Sequence, residues 1–138
     1  MLKILITDPL SEIGLNILKD AGFEILYKPK IPLDELSVLL PDIDGWIIRS
    51  GTKITSNLIK NSKKLQIIGR AGVGTDNIDI DCATKNGVIV MNVPDGNTVS
   101  AAEHTMALIL SLSRNICLGH TGLMNGEWNR SNLVGNEL

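Results

Sequence analysis

Aromatic side chains are scarce: two Trp, one Tyr and one Phe in 138 residues. A core with so few rings has to be aliphatic. Ile, Leu, Val and Ala supply most of the 43% hydrophobic content, which suits an α/β domain. Cysteine is nearly absent. Cys82 and Cys117 stand far apart, without metal-ligand spacing, in segments that read as helix. Both are expected to be buried free thiols in a reducing compartment. No charge sign dominates, since 13 Lys and Arg face 15 Asp and Glu for a net charge of −2. No basic stripe points to nucleic acid. A phosphorylated small molecule needs only a few placed cations, so the charge balance leaves one open. Long apolar runs are missing too. The longest, Met106–Leu110, falls far below the roughly 20 residues of a membrane span. The opening MLKILITD carries too short an apolar run for a signal peptide. The expectation is a cytoplasmic protein with no membrane partner and no metal.

What is present is an alternation of short apolar runs with amphipathic segments. Lys3–Thr7 reads as a β-branched buried strand that ends at the turn signal Asp8-Pro9. Ser11–Ala21 reads as a helix, with Ile13, Ile17 and Leu18 at helical spacing and Gly22 as its stop. Strands are expected at Phe23–Tyr27, Gly45–Ile48, Leu65–Gly69 and Val88–Asn92. Helices are expected at Leu33–Leu40 (closed by Pro41), from a Thr55 cap through Asn61, and at Ile78–Asn86. Five strands joined by helical crossovers imply a parallel sheet covered on both faces. The expected fold class is α/β: a flavodoxin-like five-stranded parallel sheet, strand order 2-1-3-4-5, with helices on both faces.

The pattern changes after Asn92. Ser100-Ala101-Ala102-Glu103 matches a capping box. The helix beyond it is apolar or small on nearly every face, through Ala102, Met106, Leu108, Ile109, Leu110 and Leu112. Such a helix needs cover on all sides. A second helical stretch to Met124 follows, with Trp128 expected as an anchor. The whole Ser100–Met124 region is expected to be adhesive and to draw the chain into dimers or larger assemblies.

Three groups of residues carry chemistry. Arg49-Ser50-Gly51 follows the third strand, and ligands of open α/β sheets bind beyond the C-terminal strand ends. Arg offers a planar donor fork for carboxylate or phosphate. Arg70-Ala71-Gly72-Val73-Gly74-Thr75-Asp76-Asn77 follows the fourth strand, where Gly-x-Gly can aim backbone N–H groups into a cavity. It is not G-x-G-x-x-G, because Asn77 holds the third position. Asn97 precedes the apolar helix. Taken singly, these read more readily as a surface Arg, an ordinary strand-to-helix turn and a loop or capping Asn.

Taken together they match a family. The segments RSGTKIT, LQIIGRAGVGTDNID, GVIVMNVPDGNTVSAAEHTMALIL and GEWNRSNLVGNEL resemble the NAD-dependent D-2-hydroxyacid dehydrogenases along essentially the whole chain. Within that family they resemble the phosphoglycerate branch. The resemblance implies an oxidoreductase acting on the CH–OH group of a small, phosphorylated 2-hydroxy acid in serine biosynthesis. It implies that Arg49 and Ser50 hold substrate, that the Val73 and Gly74 amides grip its carboxylate, and that Asn97 touches it. It places Val73 and Ala101 near the cofactor NAD. It divides the chain into a substrate-binding domain, residues 1–95, and the crossover helices that begin a nucleotide-binding domain, residues 96–138.

The family's G-x-G-x-x-G fingerprint and its catalytic Arg, Glu and His match nothing here. The resemblance implies that they lie beyond Leu138, so the chain alone is expected to be inactive. His104 and His120 do not match the catalytic His and are expected to be structural and exposed, respectively. Two other readings stand beside this one. A glyoxylate or hydroxypyruvate reductase would share the family but not the substrate. A stand-alone flavodoxin-like binding module would not leave an all-round apolar helix uncovered.

Overall fold

A computed structural model describes residues Met1–Leu138. The chain forms two compact units, Met1–Gly96 and Asn97–Leu138. The first holds strands β1 (Lys3–Ile6), β2 (Glu24–Tyr27), β3 (Gly45–Ile48), β4 (Ile67–Arg70) and β5 (Ile89–Met91). They form one sheet in the order β2-β1-β3-β4-β5, every neighbouring pair parallel. The five expected strands, their order and their direction all hold. Gly45–Ile48 holds at both ends and the other strands shift by at most two residues, as element boundaries commonly do.

Alternation along each strand sorts side chains to two faces. Leu5, Trp46, Ile48 and Ile68 meet helices α2 (Leu33–Leu39), α3 (Ser56–Asn61) and α4 (Ile80–Lys85) through Leu36, Leu58, Ile59, Cys82 and Ala83. Trp46, fully buried, is the one large ring of this core. The opposite face carries α1 (Glu12–Asp20), whose Gly14, Ile17 and Leu18 line a shallow apolar shelf with Ile47, Gly69 and Met91. Helices thus cover both faces. The shelf stays open, which leaves Ile13 and Ile17 mostly exposed despite their helical spacing. Ser11 caps α1 by accepting the Gly14 N–H at 3.3 Å, and Gly22 ends it at φ +82°, a backbone angle that disfavours a Cβ. Leu40–Asp42 continues α2 as a 3₁₀ turn around Pro41. Thr55 stands at the N-cap of α3 without a side-chain capping bond.

The second unit contains α5 (Thr98–Ser113), α6 (Ile116–Met124) and a 3₁₀ turn at Arg130–Leu133. Neither helix has a buried residue. The expected capping box is not used. The helix starts two residues before Ser100, with Asn97 at the N-cap and its carbonyl accepting the Ala101 N–H at 2.9 Å. The Ser100–Met124 stretch is broken at Asn115, in the left-handed region at φ +54°. There the Asn115 amide donates to the Val134 carbonyl at 3.2 Å, and the Asn136 N–H donates to the Ser113 carbonyl at 2.8 Å. The C-terminal segment therefore runs along the break. It approaches closely enough that a Cβ on Gly135 would meet the Ser113 and Arg114 backbone. Two further expectations are corrected here. Cys117 is exposed, because α6 encloses nothing against which a thiol could be buried. Trp128 is 74% exposed and anchors no core; it edges a cavity of about 360 Å³ with Leu118, Leu123 and Leu133. No helix is long and apolar enough to cross a membrane.

Candidate functional site

Parallel strands bring their following loops to one rim, so residues after β1, β3 and β4 meet there. After β1 come Thr7 and Asp8, both buried although polar. The Trp46 Nε1–H donates to Thr7 Oγ1 at 2.9 Å, and Thr7 Oγ1 lies 2.8 Å from Thr52 Oγ1. Asp8 Oδ2 accepts two backbone N–H groups, from Arg49 at 2.7 Å and Thr52 at 3.0 Å. These bonds explain how a carboxylate is tolerated inside. They also draw the Arg49–Thr52 segment into a tight loop. A Cβ on Gly51 would collide with the Asp8 carboxylate.

The loop's carbonyls are held from the other side. Asn77 Nδ2 donates to the Arg49 carbonyl at 2.7 Å and to the Thr52 carbonyl at 2.6 Å. Its Oδ1 accepts Arg70 Nε–H at 3.3 Å. With the backbone of the loop tied down, the side chains of Arg49 and Ser50 remain exposed and free.

They line a cavity of about 620 Å³ with Thr7, Asp8, Lys30, Thr52 and Lys53 over an aliphatic floor of Ile31, Leu33, Leu36 and Leu58. Lys30, Arg49 and Lys53 make no salt bridge; the chain's ion pair is Lys64–Asp42, elsewhere on the surface. Three unpaired cations around one carboxylate make the cavity attractive to anions.

After β4 the chain turns sharply. The Ala71 N–H donates to the Ile48 carbonyl and the Gly72 N–H to the Arg70 carbonyl, both at 2.8 Å. Asn92 Nδ2 fixes the Val73 carbonyl at 2.6 Å. The N–H groups of Val73 and Gly74 find no acceptor within the protein, which leaves two donors for an incoming group.

The expected site residues are therefore distributed as follows. Arg49 and Ser50 share the cavity. Val73 and Gly74 lie on the loop of the adjacent strand, outside that cavity's lining and joined to it through Asn77. Asn97 and Ala101 belong to the second unit, both exposed at the start of α5. His104 and His120 are exposed. No group of three or more His, Cys, Asp or Glu side chains is arranged to hold a metal ion.

Sequence reasoning overlooked Asp8, Asn77, Lys30 and Lys53. Asp8 was legible only as part of a turn signal, and Asn77 only as the residue that spoils a glycine motif. An acidic residue directly after a buried strand was the available signal for Asp8.

An open parallel sheet with anion-seeking donors along its C-terminal rim describes a class of small-molecule binding domains. Comparison with known proteins narrows this. Residues 4–132 match the model of the D-isomer specific 2-hydroxyacid dehydrogenase, catalytic domain, family, and the chain belongs to that family of oxidoreductases. It is 46% identical over 138 residues to a D-3-phosphoglycerate dehydrogenase of Methanocaldococcus jannaschii, covering 100% of this chain and 26% of the relative. The chain thus spans about a quarter of the length of such relatives. Among solved structures, the TT0316 protein of Thermus thermophilus superposes with a TM-score of 0.86 at 26% identity, over 99% of this chain and 46% of that one. The NAD+-bound 3-phosphoglycerate dehydrogenase of Entamoeba histolytica gives 0.70 at 32% identity, over 82% of this chain and 39% of that one.

Proposed function

We propose that this chain is the substrate-binding portion of an NAD-dependent D-3-phosphoglycerate dehydrogenase. The complete enzyme would oxidise the C2 hydroxyl of 3-phospho-D-glycerate to the ketone of 3-phosphohydroxypyruvate, the entry to L-serine synthesis. The observation that carries this reading is the free Arg49 guanidinium on a cavity with two further unpaired cations, Lys30 and Lys53. A substrate bearing both phosphate and carboxylate suits such a rim. Arg49 and Ser50 bind one anionic group, and the Val73 and Gly74 N–H groups take the carboxylate. Substrate is thereby held with its C2 carbon in a fixed pose, one source of the rate advantage of a bound reactant.

NAD accepts the hydride when bound. The first unit offers a fit only to its nicotinamide end, through the exposed aliphatic side chain of Val73. The Gly72-Val73-Gly74 turn is no pyrophosphate cradle, because Asn77, at the place of a third glycine, is committed to three hydrogen bonds. The remaining cofactor contacts and the acid–base group would come from the rest of a full-length protein. The apolar α5 fits burial in a homodimer of that protein.

Nuclear magnetic resonance titration of the 138-residue chain tests the reading. 3-Phosphoglycerate should shift the amides of Arg49–Gly51 and Val73–Gly74, while glyoxylate at equal concentration should not. The chain alone should show no NADH formation with 3-phosphoglycerate, whereas the full-length protein should. A response to glyoxylate only would replace the substrate assignment.

A further inference from the structure

We propose that Asn77 is a positioning residue, one that gives the Arg49–Thr52 loop its binding shape without itself touching the substrate. The inference rests on the substrate reading above and extends it.

Two side chains share the loop between them. Asp8 Oδ2 takes the N–H groups of residues 49 and 52. Asn77 Nδ2 reaches the carbonyls of the same two residues, at 2.7 and 2.6 Å. A carboxylate on the donors and an amide on the acceptors close a four-residue ring at both ends. Only an amide can serve both sides of Asn77, since Nδ2–H₂ supplies two donors while Oδ1 accepts from Arg70 Nε. Aspartate offers no donor for the carbonyls. Leucine offers neither donor nor acceptor.

The backbone of Asn77 reinforces the staple. Its carbonyl accepts the Ile54 N–H at 2.8 Å, just past the loop. The Asp79 N–H donates to the Ile54 carbonyl at 3.0 Å, and Ile54 pairs with Ile78 in a parallel bridge. Asn77 itself lies three residues after Gly74 on the turn that carries the free Val73 and Gly74 N–H groups. One amide therefore sets the distance between the two groups of anion donors. Arg49 cannot fulfil that role, because its guanidinium is free and only its backbone is held.

The test uses the 138-residue chain with Asn77→Asp and Asn77→Ala, and 3-phosphoglycerate as probe. Three quantities are read by resonance methods and melting: the ordering of the Ser50 and Gly51 amides, the dissociation constant, and thermal stability. Both variants should remain folded, lose order at Ser50 and Gly51, and bind about ten- to thirty-fold more weakly. Asn77→Asp keeps the volume and the acceptor for Arg70 but removes both donors and adds a negative charge near the anion rim, so Asn77→Ala, which adds no charge, must show the same losses. A loop that stays ordered, or one that loosens without loss of affinity, overturns the proposal. Should the variants not fold, the wild-type chain still decides. The Asn77 side-chain N–H protons should exchange with solvent well below the rate of a free amide, and free exchange overturns the clamp. If the wild-type chain binds no 3-phosphoglycerate, the substrate reading fails, and loop order alone then decides whether Asn77 clamps it.

Discussion

From Met1 to Gly96 the aliphatic side chains close around Trp46, and residues such as Leu5, Ile48 and Ile68 lose all contact with solvent. From Asn97 to Leu138 Leu, Ile and Met still make up about a quarter of the sequence, against nearly a third before it, yet Met106 is 50% and Leu112 80% exposed. The first stretch supplies two layers of helix and a sheet between them. The second supplies two helices and a 3₁₀ turn, with no strand of its own. Apolar content by itself does not make a core. Burial requires elements whose apolar faces oppose one another.

The contrast can be broken most forcefully at Trp46. Trp46→Ala leaves a cavity under the sheet and removes the bond to Thr7 Oγ1, and should cost about 3–5 kcal/mol. Leu112→Ala in the second unit should change stability by less than about 0.5 kcal/mol. Urea unfolding of both variants measures the difference, and equal losses would show that α5 has cover after all.

Next in size is Arg49. Arg49→Ala removes a charge-assisted contact and should weaken 3-phosphoglycerate binding by about 1.5–3 kcal/mol, roughly 10- to 150-fold. The melting temperature should hold, since the backbone of residue 49, not its side chain, carries the loop's bonds. Titration calorimetry beside a melting curve separates the two effects. A lowered melting temperature with unchanged affinity would make Arg49 structural.

The uncovered helix gives the third comparison. At micromolar concentration the chain should associate through α5, and Met106→Glu with Leu110→Lys should return it to a monomer in light scattering. The first unit should keep its melting behaviour in that double variant. A wild-type monomer would remove the dimer from the proposal.

The smallest effect belongs to the Lys64–Asp42 pair, 2.8 Å apart and well exposed. The hydrogen bond to Lys64 and its charge hold the Asp42 carboxyl below its ordinary value. The same partner raises Lys64. A lowered carboxylate contributes stability above its unfolded value, and that contribution fades as pH falls through the folded value. A raised lysine contributes below its unfolded value and loses this as pH rises through the folded one. Lys64→Ala should flatten both limbs slightly and leave neutral-pH stability almost unchanged, as solvent screens the pair. Melting curves across pH check this.

The five strands and their order were legible because period and run length are local quantities. KILI, GWII and IIGR announce buried parallel strands wherever they stand. The helix stop at Gly22 was legible for the same reason. The candidate site was legible as residue types at strand ends, Arg49 and the Gly72–Gly74 turn above all. Its construction was not. Asp8 reaches Arg49 across 41 positions and Thr52 across 44, and Asn77 reaches back 28 and 25. A hydrogen bond at such separation leaves no periodic trace, because it depends on which strands become neighbours and on where their loops then fall. The same holds for Cys117 and Trp128, whose residue type favours burial while their surroundings leave them exposed. The sequence by itself determined the elements, the sheet and the chemical character of the rim. The tertiary structure decided which polar groups hold the Arg49–Thr52 loop in shape, because burial and hydrogen bonding depend on neighbours that chain order does not specify.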